Sequence, residues 1–177
     1  MRLRRATPDD AQALSALAGT CFTQTFGHLY PPQDLEAFLH EAYAAPAWAS
    51  LLSDPGYATW LLEDGDTAIG YATAGDCALP HPDVASGDGE LKRLYVLQGR
   101  QGGGNGSRLF DAAMQWLLRD GPRTLWIGVW SENFGAQRFY ARHGFEHVGA
   151  YDFIVGQTRD HEFILKRSPA SPRRTSG

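Results

Sequence analysis

Between Leu94 and Leu109 the chain reads LYVLQGRQGGGNGSRL, with five glycines, counting Gly99, set between an apolar strand-like triplet and the start of a helical pattern. Glycine in ordered structure carries an entropic cost, so a cluster at such a junction needs a reason. What it permits is positive φ and the approach of a ligand that any Cβ would block. A helix that follows directly adds unpaired N–H groups and the positive end of its dipole, which together suit phosphate oxygens. For the loop taken alone, a surface turn without a ligand is an equal reading. Two known phosphate loops fail by residue identity. A Walker loop from Gly99 needs Lys where Asn105 stands, and both a Walker start at Gly102 and the dinucleotide fingerprint require glycine at Ser107.

At 177 residues and 43% hydrophobic content the chain suits one domain with a real core. We assign that domain to residues 1–167, and the Pro/Ser-rich stretch 168–177 reads as a disordered tail. A net charge of −4 leaves no basic footprint for nucleic acid. No apolar run reaches membrane-span or signal-peptide length, so the expected location is cytoplasmic, without membrane association. Cys21 and Cys77 stand alone, without the spacing of a zinc site or disulfide framework, and no metal is expected.

Arg2 to Ala6 reads as a first strand. A helix follows, with Thr7 as N-cap, Pro8 at its first position and Asp9 and Asp10 in its first turn. GHLYPP breaks it, and QDLEAFLHEAY and AWASLL read as two shorter helices. YATWLL and TAIGYATAG form a hairpin with a turn of four residues, Glu63 to Asp66. The long loop DCALPHPDVASGDG leads to a strand at 90–96, followed by the glycine loop, an amphipathic helix from Asn105 to Arg119 and the apolar run Thr124 to Trp130. Strand, helix and strand make a parallel crossover. A second helix closed by Gly144 and two strands, EHVGAYDFIV and HEFILKR, complete the pattern.

Gln101-x-x-Gly104-x-Gly106 lies after a strand and about thirty residues before Asn133-x-x-Ala136-x-x-Phe139-Tyr140-x-x-x-Gly144-Phe145. This pair of motifs resembles the two signature regions of the GCN5-related N-acetyltransferases (GNAT). The resemblance implies an α/β fold: a central, mostly antiparallel twisted sheet flanked by helices, with acetyl-CoA in the splayed cleft between two central parallel strands. It implies that Gln101, Gly102, Gly103, Gly104, Asn105, Gly106 and Ser107 wrap the pyrophosphate. Leu94, Tyr95 and Val96 would bind pantetheine through main chain, with the Tyr95 and Val96 amides as candidate oxyanion donors. Asn133 would contact the pantetheine arm, cap its helix, or do both.

The implied reaction poses two proton problems. An alkylammonium with a pKa of about 10.4 must lose a proton before it attacks, and the departing thiolate benefits from an acid. The resemblance assigns the acid role to Tyr140 and places Glu90 where several relatives carry a general base. The other readings are an aromatic core residue for Tyr140, and for Glu90 a carboxylate that is merely solvated or that attracts a cationic substrate. A narrower resemblance, in TFGHLYPPQDLEAFL and in the stretch from Trp126 to Arg167, is to PaiA-type spermidine/spermine acetyltransferases. It implies a small primary amine as partner, with a polyamine the favoured acceptor and direct attack in a ternary complex. His28 and Tyr30 would wall the acceptor site, the other reading of His28 being a structural residue of the helix-breaking turn; Asp76, Asp83 and Asp88 in the long loop would attract a polycation or be simply solvated loop positions. A homodimer is compatible with the family. The competing readings are a protein N-terminal or lysine acetyltransferase and a non-catalytic acyl-CoA-binding sensor.

Overall fold

A computed structural model describes residues 1–169. The order of elements follows the sequence pattern. β1 (Arg2–Arg5) leads through a 3₁₀ turn at Pro8–Asp10 to α1 (Ala11–Phe26). The Thr7 N–H donates to the Asp10 carboxylate at 2.8 Å and the Asp10 N–H donates back to the Thr7 carbonyl, a reciprocal cap that begins the helix. A second 3₁₀ turn, Gly27–Leu29, replaces the expected simple break and precedes α2 (Pro32–Ala42) and α3 (Ala45–Ser53). β2 (Tyr57–Asp64) and β3 (Thr67–Asp76) form a hairpin whose turn is two residues, not four. Gly65 at φ +61° supplies the left-handed backbone that a two-residue turn requires.

β4 (Gly89–Val96), α4 (Asn105–Leu117) and β5 (Leu125–Trp130) make the parallel crossover. α5 (Phe134–Arg142) leads to the final hairpin, β6 (Glu146–Val155) and β7 (Thr158–Arg167). β7 begins three residues earlier than the apolar stretch HEFILKR suggests, and the tail expected to be disordered lies, from residue 170 onward, outside the described residues. The seven strands form one sheet in the order β1-β2-β3-β4-β5-β7-β6, and only β4 and β5 pair in parallel. α4 and α5 bury Leu109, Phe110, Ala113, Leu117 and Tyr140 on one face, while α1 to α3 pack Leu14, Phe22, Tyr43 and Trp48 on the other.

The feature that makes a cleft lies at the centre of the sheet. β4 and β5 pair only from Gly89↔Leu125 to Leu91↔Ile127, then part. At the same level the register of β4 against β3 slips between Thr73↔Arg93 and Ala74↔Leu91, leaving Lys92 as an extra, bulged residue. A bulge bends the strand that carries it, so β4 turns away from β5 where their ladder ends. No helix among the described residues is long and apolar enough to cross a membrane.

Candidate active site

Two recesses meet at this parting. The first, about 700 Å³, runs between the end of β4 and α5 and is lined by Leu94, Tyr95, Val96, Gln101, Gly102, Gly106, Asn133 and Tyr140. Its glycine rim is built by backbone conformation: Gly102, Gly103 and Gly104 have φ of +88°, +60° and +80°, a left-handed run that other residues avoid. Among the described residues, the main-chain N–H groups of Gly102, Gly103, Gly104, Gly106 and Ser107 make no bond to backbone carbonyls, while Asn105 N–H and Arg108 N–H bond to the carbonyls of Gly102 and Gly104. Free amides at a helix N-terminus form a cradle for an anion.

The loop is braced from behind. The Asn105 side chain is buried and donates to the Arg100 carbonyl at 2.8 Å, and Arg100 is tied to Asp64 at 2.6 Å. Asn105 thus holds the loop with its side chain instead of presenting it to the recess. Gln101 donates to the Val96 carbonyl at 3.2 Å. Because the Leu97 N–H bonds to Ile69 on β3, strand alternation turns the Tyr95 main chain toward β3 and those of Leu94 and Val96 toward the parting. Of the two candidate oxyanion amides, Val96 is therefore the one that faces the recess. The Asn133 carboxamide oxygen accepts the Ala136 N–H at 3.1 Å and caps α5, while the same residue lines the recess. The capping reading is thereby met.

The second recess, about 440 Å³, lies on the α1–α2 side and is lined by Tyr30, Ala78, Leu79, Glu90, Lys92, Arg93, Gly128, Tyr151 and Glu162, among others. Gly128 keeps its floor open, since a Cβ there would stand 3.0 Å from the Tyr151 hydroxyl. Glu90 is buried, and its Oε2 accepts from the Ala78 N–H at 2.9 Å and from Lys92 Nζ at 3.0 Å. Tyr30 donates to the Asp160 carboxylate and pins the turn after α1 against β7. His28, two residues earlier, is exposed and lines the first recess, edge-on to Trp130. Of the two residues expected to wall the acceptor, only Tyr30 faces this side. Of the loop aspartates, Asp88 accepts from Trp126 Nε1 at 2.8 Å and serves the loop, while Asp83 lies 3.9 Å from Lys166.

A passage of about 80 Å³ lies inside the parting and shares lining residues with both recesses, among them Leu94, Trp130, Asn133 and Tyr140 with the first, Glu162 with the second and Tyr95 with both. Burial raises the pKa of the Tyr140 phenol well above the ordinary range, which keeps its proton in place at neutral pH. Glu162 was not among the residues singled out by sequence. Burial, helped by the charge of Asp160, pushes its carboxyl up to about 7. Among the described residues no cluster of His, Cys, Asp and Glu is arranged to hold a metal.

A family model described as the acetyltransferase (GNAT) family matches residues 18–145. An N-acetyltransferase of Lactobacillus delbrueckii subsp. lactis, from the pepI 3′ region, is 27% identical over 169 residues, 95% of this chain and 97% of the relative. An N-acetyltransferase of Mycobacterium tuberculosis is 28% identical over 160 residues, covering 89% of this chain and 97% of the relative. Among solved structures, the PaiA N-acetyltransferase of Thermoplasma acidophilum in complex with coenzyme A superposes with a TM-score of 0.74 at 19% identity, covering 94% of this chain and 98% of that one. A ribosomal-protein-alanine N-acetyltransferase from Brucella melitensis gives 0.67 at 19% identity, covering 95% and 99%. At such identities the likeness shows the fold alone.

Proposed function

The chain belongs to the acetyltransferase (GNAT) family, an N-acetyltransferase with acetyl-CoA as cosubstrate, and from that premise we propose that its acceptor is a small amine carrying several positive charges, of the spermidine type. The observation that carries this reading is the presence of carboxylates at the second recess, which also carries Lys92 and Arg93. Glu90 and Glu162 border it, and Asp160 is buried beside it at the Tyr30 hydroxyl. Of the two cations there, Lys92 pairs with Glu90, and the Arg93 guanidinium is held 4.8 Å and 5.0 Å from the ring centres of Tyr43 and Trp48, which leaves Glu162 and Asp160 as the acids without a cationic partner among the described residues. A volume of about 440 Å³ is at the scale of a small-molecule site.

In this reading the pyrophosphate of acetyl-CoA rests on the free amides between Gly102 and Ser107, and the thioester enters the parting of β4 and β5. The amine approaches from the opposite recess, so that both substrates are bound when the nitrogen attacks the carbonyl carbon. The Val96 amide faces the place where carbonyl charge develops, and Tyr140 supplies a proton to the sulfur as the C–S bond breaks. Glu90, paired with Lys92, fixes the loop through Ala78 at the far end of the amine recess.

The test is thiol release from acetyl-CoA with a panel of spermidine, spermine, monoamines, aminoglycosides and lysine peptides. Spermidine or spermine is expected to give the highest kcat/KM, with KM rising in added salt because charge attraction at the recess mouth is screened over about 8 Å at physiological ionic strength. A monoamine or lysine peptide preferred by tenfold, about 1.4 kcal/mol, would remove the polyamine assignment and leave the acetyltransferase intact.

A further inference from the structure

Acetyl transfer to an ammonium requires a group that takes the nitrogen's proton, and the residue expected for it is Glu90. The structure separates Glu90 from the reacting centre. It stands opposite Trp126, where β4 and β5 are still paired, and it does not border the passage that contains Tyr140. One of its oxygens is already occupied by Ala78 and Lys92. Glu162 stands opposite Trp130, four residues further along β5 and so about 13 Å from that level at 3.3 Å per residue. Glu162 borders both the amine recess and the passage. Among the carboxylates of the described residues, it is the one that shares the passage with Tyr140.

We infer that Glu162 is the proton acceptor for the attacking amine, directly or through one water, with Tyr140 on the opposite side of the thioester as the donor. This rests on the acetyl-transfer reading given above. The protons and electrons balance without another reactant. The ammonium gives one proton to Glu162, the freed lone pair forms the C–N bond, and the C–S pair leaves on sulfur, which takes a proton from Tyr140. The second proton lost from nitrogen as the amide forms restores the tyrosine, and the first is released to solvent when Glu162 is reset.

The surroundings suit a base that works near neutrality. From β7, Asp160 adds negative charge; from the turn after α1, Tyr30 faces both acids, with its own proton donated to Asp160. Tyr151 approaches from β6 and Tyr95 from β4, each with its ionisation opposed by burial first and by the Glu162 charge as a lesser cause. Arg93, Lys92 and Glu90 border the same recess from β4, and Tyr43 from the end of α2. Among the described residues the carboxyl of Glu162 receives no hydrogen bond that would hold it ionised, so burial dominates and raises it to about 7. Such a group is half charged at neutral pH and accepts a proton more readily than an ordinary carboxylate.

The experiment compares wild type, Glu162→Gln, Glu162→Asp and Glu90→Gln with whichever amine of the panel the wild type acetylates fastest, so a wrong acceptor class does not prevent it. Acetyl-CoA affinity by calorimetry reports that each variant is folded. The wild-type kcat/KM profile is expected to fall on the acidic side near pH 7. Glu162→Gln should lower kcat at pH 7 by 100-fold or more with acetyl-CoA affinity within twofold, and its profile should climb toward the pKa of the free amine, about 10. Glu162→Asp should recover part of the rate, and Glu90→Gln should keep the acidic fall near pH 7. The inference is overturned if Glu162→Gln stays within threefold in kcat, if only the KM of the amine rises while the acidic fall persists, or if Glu90→Gln abolishes that fall.

Discussion

Replacing Glu162 with Gln should make the protein more stable at alkaline pH, and the size follows from its burial. The folded-state carboxyl sits at about 7 against an ordinary value of 4.5. Below pH 4.5 the group is protonated in folded and unfolded chains alike and contributes no pH dependence. Between 4.5 and 7 the unfolded chain releases its proton first, the folded chain binds more protons, and stability falls as pH rises. Above 7 the full cost of the buried charge is present, and at 1.36 kcal/mol per unit it amounts to about 3 kcal/mol as an upper bound. Gln has nearly the same shape and no charge to lose. In urea unfolding, the stability difference between Glu162→Gln and wild type should move in favour of the variant by about 2 to 3 kcal/mol between pH 4 and pH 8. Taking the difference of differences removes the groups common to both proteins. A flat difference across that range, or one that turns against the variant, would show that the carboxylate is well solvated or paired, and the reasoning about its environment would fail.

Other expectations separate ligand contact from folding. Gly106→Val should weaken acetyl-CoA binding by tenfold or more with little change in unfolding temperature, because a Cβ there meets no protein atom within 4 Å and the backbone is not left-handed; unchanged affinity by calorimetry would show that no ligand approaches that main chain. Tyr140→Phe should lower turnover by about 10² to 10⁴ while acetyl-CoA affinity stays nearly intact, the usual range for loss of a general acid; a rate within twofold, measured under chemistry-limited conditions, would reduce the tyrosine to packing against Phe139 and Phe110. Gly128→Ala should raise the KM of the amine more than that of acetyl-CoA, since its methyl would press on the Tyr151 hydroxyl and Leu79 at the recess floor; equal effects on both KM values would place the amine elsewhere.

The parts of this account legible in the sequence are those written locally. The glycine run declares its left-handed backbone through residue type, and Asn133 followed by a helical pattern declares a cap. The crossover from β4 to β5 could be read from element order. What escaped depends on pairing between distant strands. Glu162 looks like one polar residue in a terminal strand until β7 is laid antiparallel against β5, which brings it opposite Trp130. A signal was present: Asp160, Glu162 and Ile164 alternate onto one buried face, and two carboxylates on the inward side of a strand are unusual. His28 and Tyr30 could not be told apart by sequence, because the 3₁₀ turn between α1 and α2 sends them to different recesses. The aspartates of the long loop suggested polycation attraction, yet Asp88 is used to hold the Trp126 indole.

The central claim is that acetyl-CoA and the amine meet from opposite sides in the parting of β4 and β5. Its most direct test is a crystal structure with a non-hydrolysable acetyl-CoA analogue and the preferred amine. The expected result has the pyrophosphate on the amides from Gly102 to Ser107, the sulfur position within hydrogen-bond reach of the Tyr140 hydroxyl, and the amine nitrogen between the thioester carbon and Glu162. An acyl group that leaves the parting empty, or an amine that enters from the same side as the cofactor, would contradict the account.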